Sequence, residues 1–234
     1  LWDALSLGFI SIEVDIHLVE GALLVGHDEE DLDTTKTLQS LYLDPLRDYV
    51  REHDGWVYPS QRSLNLLIDI KSDAQSTYEA LLAVLTQYSE MFTTYSETQV
   101  QERAVSAIVS GNRPRELMMA EAVRIATYDG RIADLGDRIP ANFISLISDD
   151  WKDHFSWRGG GSLSEADSRH LAHLVEQAHE SGYRLRFWNI PTPWGRSIEK
   201  VWSQLLDAGV DLLSIDDVDA YRDFTIQARA ARRD

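Results

Sequence analysis

The chain has 234 residues, 44% hydrophobic and 26% charged, enough for one large domain with a sizeable core. A formal net charge of −17 sets it against nucleic-acid backbones and anionic membrane surfaces, and a small anionic substrate needs a local cation or donor cluster to enter. The absence of cysteine excludes disulfides and thiolate metal sites, and no run reaches the roughly 20 apolar residues of a transmembrane segment.

Trp2–Leu7 reads as the end of a helix closed by Gly8. The chain thus opens inside a helical pattern, without an initiator Met or a signal peptide, as a processed or trimmed protein does. Apolar runs rich in branched residues predict strands at Phe9–Leu18, Leu64–Ile70, Ala104–Val109, Val123–Thr127, Phe143–Ile147, Leu185–Ile190 and Leu212–Ile215. Helical periods occupy Ala74–Tyr88, Glu165–Ser181 and Ile198–Ala208, the last stopped by Gly209. Strands alternating with helices predict βαβ units and a parallel sheet. Seven strands after an opening helix predict an α/β fold of the TIM type, a (β/α)8 barrel lacking its first strand, with residues 1–234 as a single domain. An open doubly wound sheet fits the same alternation, but no Gly-rich phosphate loop follows an early strand, and Gly159-Gly160-Gly161 reads as connection.

Side chains alternate across a strand, so Ser11, Glu13 and Asp15 share one face, and Leu67, Asp69 and Lys71 share one face of the next strand. In a barrel these faces point inward, bringing Glu13, Asp15 and Asp69 together near the C-terminal strand ends. Three carboxylates in a low-dielectric space repel, and either raised pKa values or a bound cation resolves the conflict. Oxygen-only ligands favour one hard divalent cation, Mg²⁺ or Ca²⁺. Lys71 adds a second positive charge. The bland reading, a half-exposed antiparallel strand with its acids outward, fits Glu13 and Asp15 alone but is weakened by the repeat at Asp69 and Lys71.

His27, between Gly26 and Asp28, is placed in the loop after the first strand as a general acid or base. His17 shares the Glu13 face without an assigned role. His170, His173 and His179 lack the H-E-x-x-H spacing of a zinc site and sit on a polar helix. Trp151, Phe155 and Trp157 suit loop-core packing as well as a pocket, whereas Trp188 at a strand end is the better pocket candidate.

Two stretches then carry a resemblance. "ISIEVDIHLVEGALLVGHD" followed by "LLIDIK", and "LRFWNIP" followed by "LLDAGVDLLSIDD", are similar to the phospholipase C-like phosphodiesterase superfamily. Within it the chain resembles glycerophosphodiester phosphodiesterases and the altered-inheritance-of-mitochondria protein 6 group, as does "TLQSLYLDPL". The resemblance runs from about Leu1 to Phe224 and is weakest in the middle. It implies a TIM-type barrel, a divalent cation on Glu13, Asp15 and Asp69, His27 as one of two acid/base histidines, and Lys71 near the phosphate. Trp188 matches the late-strand aromatic and Asp216 a structural acid. The family's other histidine lies in an H-x-H-N-D-like run on the first strand, upstream of Leu1.

The function these features predict is metal-dependent hydrolysis of a phosphodiester, a glycerophosphodiester or a phospholipid head group. Its partner is then a small-molecule or lipid substrate. The resemblance and the Met-less start favour a secreted or periplasmic protein over a cytoplasmic one. Two alternatives stay open: a non-catalytic barrel that binds without chemistry, and another metal-dependent barrel enzyme of the aldolase or isomerase kind.

Overall fold

In the computed structural model, which describes residues 1–191 and 198–231, the chain divides into two compact units, Leu1–Asp129 and Gly130–Asp234. The first unit runs α1 (Trp2–Ser6), β1 (Ser11–Val19), β2 (Ala22–Val25), α2 (Asp44–Glu52), β3 (Leu64–Ile70), α3 (Ala74–Thr86), β4 (Thr94–Ser96), β5 (Val100–Gln101), β6 (Val105–Gly111), α4 (Arg115–Ala120), β7 (Val123–Arg124) and β8 (Ala126–Gly130). Five of these strands lie in the order β8-β6-β3-β1-β2, and β5-β4-β7 form a small antiparallel sheet. Strands β1, β3, β6 and β8 are parallel, while β2 is antiparallel to β1.

The central strand β3 is buried at every position but Asp69, as a parallel strand covered on both faces should be. Strand β1 instead buries Val14 and Ile16 and leaves Glu13 and Asp15 more open. Between β1 and β2 the chain reverses on Glu20-Gly21, both at positive φ (50° and 85°), the two-residue turn whose twist matches a hairpin. Helix α3 starts on Asp73, whose carboxylate accepts the Ser76 N–H, and buries Thr77, Tyr78, Leu81 and Leu85 along one face.

The second unit contains β9 (Ile144–Asp150), α5 (Trp151–His154), α6 (Glu165–Glu180), β10 (Arg184–Trp188), α7 (Glu199–Asp207), β11 (Leu212–Leu213) and α8 (Val218–Ala231). Strands β9, β10 and β11 are neighbours in that order and parallel. Trp151 is fully buried, stacked on Phe155 at 4.0 Å and edge-on to Phe187 at 5.4 Å, so this aromatic group is core. Gly209 follows α7 at φ 93°, the left-handed stop expected there.

The TIM-type (β/α)8 barrel predicted from the sequence is not what the strands build. A (β/α)8 barrel has only parallel strands, each followed by a helix, and no terminal strand. Here the order in the first unit ends at β2, an antiparallel arm that pairs with β1 along Ile16–Val19, and the order in the second ends at β11. After β8 comes a single 3-10 turn, Ile132–Asp134, where a barrel needs a helix before β9. The fold is α/β with mostly parallel strands. Alternation of strands and helices does not distinguish a barrel from this sheet, and Ala22–Val25, which lies outside the predicted strands, is the hairpin partner of β1.

Candidate active site

The register between β1 and β3 pairs Asp15 with Asp69, so two carboxylates emerge side by side near the C-terminal strand ends. Glu13, one pleat earlier on the same face, brings a third. One oxygen from each of the three lies within 4.8 Å of the others. Lys71 stays in line because its N–H donates to the Ile16 carbonyl at 2.9 Å, continuing the parallel ladder beyond β3. Its Nζ lies 3.1 Å from Asp69 Oδ2 and 3.6 Å from Asp15 Oδ2. Burial pulls the Lys71 ammonium down, but the Asp69 hydrogen bond and the charges of Asp69 and Asp15 outweigh it and hold its pKa above the ordinary value.

Asp69 Oδ1 is buried and has no hydrogen-bond partner. An orphaned carboxylate oxygen costs on the order of 1–3 kcal/mol or more, and the structure goes out of its way to keep it. Gly111, at φ 68°, is the reason there is room: a Cβ there would sit 2.0 Å from that oxygen and 2.4 Å from the Ile70 carbonyl. An unsatisfied oxygen among oxygen-only donors fits a hard cation such as Mg²⁺ or Ca²⁺.

His27 reaches the cluster through the hairpin. The β1–β2 register sets Ile16 against Val25, so the Gly26 N–H donates to the Asp15 carbonyl at 3.2 Å. The next residue then places its Nδ1 2.6 Å from Asp15 Oδ2. That hydrogen bond, and then the Asp15 charge, raise the His27 pKa above 6.5, with Lys71 opposing. The His27 side chain is 73% exposed.

Five residues singled out in the sequence thus converge in the first unit: Glu13, Asp15, His27, Asp69 and Lys71. Trp188 and Asp216 belong to the second unit, where Trp188 ends β10 exposed and Asp216 lies exposed beyond β11. Among the other histidines, His179 pairs with Asp211 at 2.9 Å and His170 leans on the Phe155 ring.

Three supporting residues were not legible beforehand. His17 is buried, and its Nε2 lies 3.3 Å from the His27 carbonyl, which anchors the loop carrying the catalytic candidate. Asn112 donates from its amide to the Lys71 carbonyl at 3.2 Å and the Ser72 carbonyl at 2.9 Å, stitching the end of β6 to that of β3. Its signal was the Gly-Asn pair directly after a strand. Tyr42 lies in a π-helical turn, Gln39–Leu43, and burial followed by the Asp15 charge pushes its hydroxyl pKa up.

Residues 1–129 match the family described as AIM6-like phosphodiesterase domain. The chain is 30% identical to altered inheritance of mitochondria protein 6 of Eremothecium gossypii, over 96% of this chain and 66% of the relative. It is 28% identical to the homolog of that protein in Arthroderma benhamiae, over 94% of this chain and 76% of the relative. With the Lachancea thermotolerans protein of the same name, identity is 29% over 94% of this chain and 61% of the relative. The chain therefore spans about two thirds of the length of these relatives. No solved structure matches it.

Proposed function

Because the chain belongs to the AIM6-like phosphodiesterase domain family, we propose that it hydrolyses a phosphodiester, a glycerophosphodiester or phospholipid head group, with one divalent cation and His27 as acid/base. The observation that carries this reading is the convergence of Glu13, Asp15 and Asp69 with His27 bound to one of them and Lys71 to two. The three carboxylates would hold Mg²⁺ or Ca²⁺, which supplies positive charge to an anionic phosphate and to the charge that grows on it.

Asp15 accepts from His27 Nδ1–H, which fixes the tautomer that leaves Nε2 free to accept a proton. In the proposed reaction Nε2 removes the proton from a water or a neighbouring substrate hydroxyl as its oxygen bonds to phosphorus. The bond from phosphorus to the leaving oxygen breaks, and that oxygen takes a proton from a second acid or from solvent. Protonated His27 is itself an acid for the reverse transfer. Lys71, oriented by Asp69, offers N–H to a phosphate oxygen.

Turnover of glycerophosphocholine and lysophosphatidylcholine with Mg²⁺ or Ca²⁺ is the test. His27→Ala should lower kcat by about 10²–10⁴-fold with little change in thermal stability. Near-wild-type turnover by that variant would remove His27 from the chemistry.

A further inference from the structure

The turn that seats Asp69 also carries an arginine with no acidic partner. Arg113 Nη1 donates to the Gly111 carbonyl at 3.1 Å, and its guanidinium lies over the Tyr128 ring with its carbon 4.7 Å from the ring centre. Arg115 stands over the same ring at 5.7 Å. In a chain with 39 acidic and 22 basic residues, Arg113 meets no carboxylate among the described residues. Its Nε is buried and lacks a hydrogen-bond partner. A planar guanidinium pinned on an aromatic face, with part of its donor fork unused, is preorganised for an oxyanion.

Its position ties it to the carboxylate cluster. Gly111 packs on Asp69 Oδ1, Asn112 N–H donates to the Ile70 carbonyl at 2.8 Å, and the Asn112 side chain holds the Lys71 and Ser72 carbonyls. Lys71, the cation at the end of β3, is already engaged by Asp69 and Asp15. We propose that Arg113 is an anion-binding residue of this site and grips the non-bridging oxygens of the substrate phosphate from the β6 side. This deepens the phosphodiesterase reading and rests on it for the identity of the anion.

Calorimetric titration of the whole chain with dimethyl phosphate and with inorganic phosphate, in Mg²⁺ and in EDTA, tests it without turnover. Arg113→Gln should weaken both ligands at least tenfold while Mg²⁺ affinity and melting temperature stay within error. Arg113→Lys should recover only part of the loss, because an ammonium lacks the fork. Equal phosphate affinity in wild type and Arg113→Gln, or no binding by the folded wild type at millimolar ligand, overturns the proposal. A loss confined to inorganic phosphate also overturns it, since a diester would then not be the anion gripped. Arg113-dependent binding of both ligands without hydrolysis of any phosphodiester would sustain the anion site and defeat the hydrolase reading instead.

Discussion

Gly111 has no side chain and still decides what Asp69 can do. Its φ of 68° and the 2.0 Å that would separate a Cβ from Asp69 Oδ1 leave no room for alanine. Gly111→Ala should cost about 1–3 kcal/mol of stability, seen in urea unfolding, and weaken Mg²⁺ binding in calorimetry. Unchanged cation affinity in that variant would detach Asp69 from the cation. His27 makes a second claim at this scale. Its folded pKa is raised by Asp15, so the stability from the protonated pair is fully present below 6.5 and fades as pH rises through the raised value. NMR titration of the cation-free chain should place His27 above 6.5, and Asp15→Asn should return it close to that value. Glu13, Asp15, Asp69, Lys71 and His27 could all be named from alternation and a short motif, since period-two spacing says which residues share a face. His17, Asn112 and Arg113 could not, because each matters through a contact with a residue 10 to 41 positions away or through an unfilled donor.

At the scale of elements, the β1–β2 hairpin and the β3–β6 pairing do the positioning. The positive-φ turn Glu20-Gly21 fixes the register that delivers Gly26 to Asp15 and His27 to its carboxylate. The helix closers Gly8 and Gly209 were legible because left-handed stops are a local property. The arm Ala22–Val25 was not, since four residues are too few to separate a strand from a loop by period. Helix α3 is tied outward by Tyr78, whose hydroxyl donates to Glu121 at 2.7 Å. Burial raises the Glu121 pKa more than the Tyr78 hydrogen bond and Arg124 lower it. A carboxyl raised in the folded state contributes stability below its ordinary pKa and loses it as pH rises through the raised value. Glu121→Gln keeps an acceptor for Tyr78 and removes that loss. In urea unfolding the variant should match wild type near pH 4 and equal or exceed it at pH 7; lower stability at pH 7 would show that the charge itself is needed.

For the whole molecule, a charge of −17 opposes the approach of an anionic substrate. Screening should relieve this, so raising ionic strength from about 10 to 150 mM, which shortens the Debye length from about 30 to 8 Å, should lower the KM for a net-anionic glycerophosphodiester such as glycerophosphoglycerol several-fold. A KM that rises with salt would mean that the local cations Lys71 and Arg113 dominate the long-range field. The sequence by itself determined the charge balance, the alternating α/β content and the faces on which the acids lie, because these follow from composition and from periods of two and 3.6 residues. Only the tertiary structure decided that Asp15 stands opposite Asp69, that Gly111 backs onto that carboxylate, and that the strand order of the first unit ends at an antiparallel arm. Strand pairing is a long-range choice of neighbour and register, and local periodicity is the same whichever neighbour a strand finds.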